Sequence, residues 1–136
     1  RESDGVAPLN LPPVLAPAAA LAAAQHLLDV GRPFQAHEVL EAVWKSAGDE
    51  DRDLWRGLTQ LAVGITHLAR GNGRGGINLL TRASQTLAPY AERPADGTER
   101  PAHGVDVAGL RAWIAGRVAE AGDEAGPHLR VPRLRG

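Results

Sequence analysis

The sequence has no cysteine and no methionine, and only one phenylalanine and one tyrosine. Without cysteine there are no disulfides, no thiolate catalysis and no cysteine-ligated zinc or iron–sulfur centre. That composition is compatible with a cytoplasmic protein. Three tryptophans are the exception to the scarcity of rings. The core must therefore be built mainly from leucine, valine, isoleucine and alanine, which favours helix packing over a sheet. Charge of one sign is also lacking: the formal net charge is −1, which gives no reason to expect nucleic acid or an anionic membrane as partner. The longest apolar stretch, Leu11 to Ala24, is interrupted by Pro12, Pro13 and Pro17, so it is no membrane span. Ahead of it Arg1 is offset by Glu2 and Asp4, unlike the basic start of a secretory leader.

What is present is helical periodicity. A chain of 136 residues fits one domain able to bury a stable core. The expected organisation is an extended arm over residues 1–15, a single helical domain over 16–122, and a flexible basic tail over 123–136. The first helix is predicted from about Ala16 to Val30, with Leu21, Ala24 and Leu28 on one face and Gly31 as its stop. Pro33 opens a second helix to about Ala47, with the stripe Ala36, Leu40, Val43 and Ala47. The acidic turn Gly48-Asp49-Glu50-Asp51 starts a third, from about Asp51 to Arg70, in which Leu54, Leu58, Leu61, Ile65 and Leu68 recur at spacings of four and three. Beside that stripe run Gly57, Gln60, Gly64 and His67. Two interior glycines each cost a helix about 1 kcal/mol relative to alanine, which close approach of a neighbouring helix would offset. Gly71 stops helix three and Asn72 caps a fourth carrying Ile77, Leu80, Ala83 and Leu87, ended by Pro89. Residues 91–104, rich in proline, glycine and charge, read as a surface loop or a partly disordered linker. A fifth helix, capped by Asp106, holds Leu110, Trp113, Ile114 and Val118. The fold class is all-α, a compact bundle of about five helices built from antiparallel hairpins.

Ionisable residues inside this apolar pattern mark the candidate site. His37 and Glu41 share a face of helix two, with Trp44 one turn on and Glu38 alongside. If the chain reverses at Gly48–Asp49, Gln60 falls opposite His37 and Arg56 opposite Glu41, while His67 lies about 10 Å further along the axis. Three readings compete. A structural network would pair His37 with Gln60 and Glu41 with Arg56 at a tight helix interface, and there His37→Ala would cost on the order of 1–3 kcal/mol. A binding module would use the groove between helices two and three, with an exposed apolar patch near Trp44 and Trp55. A metal-dependent hydrolase would use His37 and Glu41 as ligands, His26 as a further donor near Glu38, and Glu38 as base. His37-Glu38-x-x-Glu41 departs from the zinc-protease pattern, which has histidine at its last position. The non-enzymatic binding or structural module is the preferred reading, with an unknown protein or small-molecule partner, no cofactor, and a homo-oligomer compatible with the pattern.

Gly71-Asn72-Gly73-Arg74-Gly75-Gly76 spells a nucleotide-binding glycine pattern, but a helix precedes it rather than a strand. It reads as a helix stop followed by a cap, with anion binding near Arg74 as the alternative. Arg130, Arg133 and Arg135 make a weak phosphate signal without interleaved aromatics, and His103 and His128 read as exposed loop residues.

Taken together, Phe34-x-x-His37-Glu38-x-x-Glu41-x-x-Trp44, Gly57-Leu58-x-Gln60-Leu61-Ala62, His67-x-x-x-Gly71-Asn72-x-x-Gly75 and Leu79-Leu80 resemble the family known as domain of unknown function 309. The resemblance spans a core from about residue 34 to 87. It implies a small all-helical bundle and no particular activity. The positions that match are His37, Glu38, Glu41, Trp44, Gln60, His67 and Asn72. Arg56 stands where the family commonly has glutamine, and Gly76-Ile77 where a small-apolar pair is usual. Arg56 weakens a cation site beside Glu41 and favours a Glu41–Arg56 ion pair.

Overall fold

Each helix begins and ends on residues whose local chemistry dictates it. In the computed structural model, which describes residues 15–91, 102–120 and 131–135, five α-helices follow in order: α1 (Pro17–Asp29), α2 (Pro33–Ser46), α3 (Asp49–Ala69), α4 (Gly73–Ala91) and α5 (Val107–Ala119), with a short 3-10 turn at Ala102–Gly104. The expected arm lies outside the described residues apart from Leu15, as do His128, Arg130 and most of the loop before α5.

Two turns are built alike. After α1 the Gly31 N–H bonds Leu28 O at 3.1 Å and the Arg32 N–H bonds Leu27 O at 2.7 Å; after α3 the Gly71 N–H bonds Leu68 O at 3.0 Å and the Asn72 N–H bonds His67 O at 2.8 Å. This crossed pair satisfies carbonyls that a helix end otherwise leaves open, and it needs a left-handed residue. Gly31 and Gly71 supply it, at φ +80° and +85°. Gly48 makes the third reversal, between α2 and α3.

Helices adjacent in sequence pack against each other from α1 through α4, and α5 packs on α4. The predicted stripes form the core: Leu21, Ala24 and Leu28 from α1, Ala36, Leu40 and Val43 from α2, the five-residue Leu/Ile series of α3, and Leu80, Ala83 and Leu87 from α4 are all buried. Asp106 caps α5 by accepting the Gly109 N–H at 3.0 Å.

Three expectations are corrected. Pro89 lies inside α4, which continues to Ala91. A proline removes one helical hydrogen bond, and so near a helix end that loss is not propagated. His103 is not a free loop residue: its Nε2 meets Asp51 Oδ2 at 2.9 Å and its ring lies 5.8 Å from that of Trp55. Finally, residues 131–135 do not trail into solvent. They pack back on α1 and the turn before α5, with Leu134 1% exposed and an antiparallel bridge between Val105 and Arg135.

Candidate functional site: a groove between the start of α2 and the end of α3

The ionisable residues of α2 pair along their own helix. The His37 Nδ1–H donates to Phe34 O at 3.0 Å, because a carbonyl can only accept. That turns Nε2 toward Glu41 Oε1, 3.5 Å away, and the other Glu41 oxygen lies 3.7 Å from Lys45 Nζ. Spacings of four residues make this a ladder on one helix face. The expected contacts to α3 do not form. Arg56 turns to Asp53, one turn back on its own helix, at 3.3 Å, and Gln60 accepts from the Thr86 hydroxyl on α4 at 2.9 Å. Glu38 is exposed, and Trp44 is half-buried against the core.

The reason is that the polar stripe of α3 faces α4, not α2. A Cβ on Gly57 would sit 2.7 Å from Leu87 Cδ2; one on Gly64 would sit 2.9 Å from Leu80 Cδ2 and 3.2 Å from Gly76 O; one on Gly76 would sit 2.7 Å from Leu68 Cδ2 and 3.0 Å from Gly64 O. The two helix backbones therefore approach closely along a glycine seam, as the glycine pattern predicts, and Gln60 shares that side. His67 and Asn72 close the same hairpin. Asn72 Nδ2 donates to His67 Nδ1 at 3.1 Å, while Asn72 Oδ1 accepts the Gly75 N–H at 3.0 Å. The glycine-rich run thus works as a stop and a cap.

Two donors, His37 and Glu41, meet at the face a metal-dependent hydrolase would use. Among the described residues no three His, Asp or Glu side chains come together in a way that could hold a metal ion. His26 lines a recess beside Arg133, Leu134 and Arg135 and contributes no third donor to that pair.

An open groove does lie between α2 and α3, at the end of the bundle where the two glycine turns sit. It has a volume of about 350 Å³ and is lined by Gly31 to Gln35 on one side and by Thr66, Ala69 and Arg70 on the other. The α2 helix begins there on Arg32 with no side-chain cap and Pro33 in its first turn. Phe34, at the mouth, is 47% exposed. The Arg70 guanidinium stands 5.6 Å from the centre of its ring, within cation–π range, and the centre of the His37 ring lies 5.0 Å from it. The lining includes two arginines and no carboxylate. Among the described residues, neither Arg32 nor Arg70 takes part in an ion pair.

The exposed patch expected near Trp44 and Trp55 is not there: Trp55 is 1% exposed and Trp44 is half-buried, and the exposed ring is Phe34, at the other end of α2. Phe34 sits in the motif itself, three residues before His37, and its place in the first turn, ahead of the buried stripe that starts at Ala36, is the signal that it faces outward. Arg32 and Arg70 carried no motif signal beyond flanking the two stops. Gln25 was also missed. It is the one polar residue on the α1 stripe, between Leu21 and Leu28, and it is hydrogen-bonded to Asp29 and to residues 132 and 134.

Residues 21–79 match the family model described as "Domain of unknown function (DUF309)". The match runs from α1 into α4, so it takes in the groove, both glycine turns and most of the glycine seam. An uncharacterized protein of Aquifex aeolicus (strain VF5) is 32% identical over 66 residues, a stretch that covers 48% of this chain and 20% of that relative's length. No solved structure matches the chain.

Proposed function

We propose that this protein is a non-enzymatic binding module that docks a partner in the groove between the start of α2 and the end of α3. The observation that carries the reading is the chain's single phenylalanine, half exposed at the groove mouth under the Arg70 guanidinium. A large ring left in water gives up about 25 cal/mol for every Å² of apolar surface that burial would have removed. A partner that covers Phe34 recovers that term. Arg32 and Arg70 add charge complementarity for a carboxylate. The partner's chemistry is then a carboxylate next to an apolar group, on a protein segment or on a small molecule. The ladder of His37, Glu41 and Lys45 orients the first turns of α2 behind Phe34, and the His37–Phe34 bond holds that end in place. A cytoplasmic setting fits the cysteine-free composition.

Titration of isotopically labelled protein with benzoate, and separately with benzylamine, tests this. Benzoate should shift the backbone amides of Phe34, Gln35 and Arg70 in a saturable, millimolar response, and benzylamine should not. Equal responses to both, or benzoate shifts scattered away from these residues, would overturn the reading.

A further inference from the structure

We infer that α1 and residues 105–106 form a recognition site for an extended peptide of the pattern apolar–proline–basic–leucine, and that this chain fills the site with its own residues 131–135. The site shares no lining residue with the Phe34 groove, so it stands or falls independently of the reading above.

A carboxamide buried in the recess reads the backbone of the segment. Gln25, 9% exposed, donates from Nε2 to Pro132 O at 3.1 Å and accepts the Leu134 N–H on Oε1 at 2.7 Å. These two groups flank Arg133, and one amide that both donates and accepts reproduces what a neighbouring strand's peptide unit offers. The second Nε2 hydrogen goes to Asp29 Oδ1 at 2.9 Å, which fixes the amide's orientation. On the far side the Asp106 N–H donates to Leu134 O at 2.9 Å. Leu134 is thereby bonded through both its N–H and its carbonyl, each to a different element.

Side chains supply the selectivity. Pro132 and Leu134 are buried, whereas Arg133 and Arg135 are exposed, the period-two alternation of a strand lying on a surface. Val131 packs on the core edge. Pro132 needs no donor partner, so a proline is tolerated there. Asp29, whose other oxygen lies 3.6 Å from Arg133 Nη1, favours a basic residue at the third place. Main-chain bonds for affinity combined with pockets for alternate side chains is how exposed edges capture peptides. Beside the seated segment a recess of about 470 Å³ remains open.

Because the segment is tethered, it competes with any outside peptide at an effective concentration in the millimolar range. The test uses the full chain and a fluorescent peptide with the sequence of residues 131–135. Leu134→Asp empties the site without touching its walls, so this variant should bind the peptide at least about tenfold more tightly than the unaltered chain. Adding Gln25→Leu to it should abolish binding. A Leu134→Asp chain that keeps its helical circular dichroism yet takes up no peptide overturns the proposal. An independent readout needs no variant. Millimolar unlabelled peptide added to the unaltered chain should speed hydrogen exchange at the chain's own Leu134 N–H, and unchanged protection would contradict the proposal.

Discussion

The turn at Gly31 and the turn at Gly71 share one hydrogen-bond pattern and one left-handed glycine, yet the helices that follow them begin differently. After Gly71, Asn72 caps α4, binds His67 and leads into a seam where Gly76 lies against Gly64. After Gly31, the chain enters α2 through Arg32 and Pro33 with no side-chain cap, and Phe34 stands in solvent beside Arg70. One corner spends its polar groups and its small residues on closing a hairpin. The other leaves an aromatic ring half exposed at a groove, beside two arginines that take part in no ion pair among the described residues. The motif residues therefore divide between two jobs: Gly57, Gln60, Gly64, His67 and Asn72 hold α3 to α4, and Phe34, His37 and Glu41 shape the open end of α2.

The largest expected effect breaks the closed side. Gly64→Val places a branched side chain against Leu80 and against the Gly76 carbonyl, a backbone atom that cannot turn away. Overpacking of this kind should cost about 3 kcal/mol, seen as an early chemical-denaturation midpoint. Next in size, Asn72→Ala removes the cap of α4 and the partner of His67 Nδ1. A loss of about 1 kcal/mol is expected in the same experiment, and Asn72→Asp, which keeps the capping oxygen, should retain most of it. Smaller again is His37→Ala. The partners of His37 are a carbonyl and a partly exposed carboxylate on its own helix, so its removal should cost less than about 1 kcal/mol. A cost of 3 kcal/mol would mean that His37 is a buried structural tie and that the division drawn here is misplaced.

Much of the closed side was legible from the chain. The four-three leucine series of α3 and the glycines at Gly31 and Gly71 act through local geometry, which a sequence displays directly. The glycines at 57 and 64 announced a close approach, but not which helix made it. Placing Gln60 opposite His37 and Arg56 opposite Glu41 assumed that the polar stripe of α3 turned toward α2. In the fold that stripe faces α4, where Gly76 lies against Gly64 and lets the two backbones meet. The rotation of one helix about its axis relative to two neighbours is set by such pairings across the core, and no period along one segment encodes it. The seating of residues 131–135 was hidden for the same reason. It depends on Gln25, more than a hundred positions away and inside a stripe where a lone glutamine among alanines and leucines is the sole sign.

The division between a closed hairpin and an open groove is tested most directly by Phe34→Ala. Its denaturation midpoint and its benzoate titration should be measured side by side with those of the parent chain. The account predicts stability within about 0.5 kcal/mol of the parent, as for a surface substitution, together with loss of the benzoate response. A stability loss on the scale of a core deletion, or benzoate binding unchanged without the ring, would contradict it.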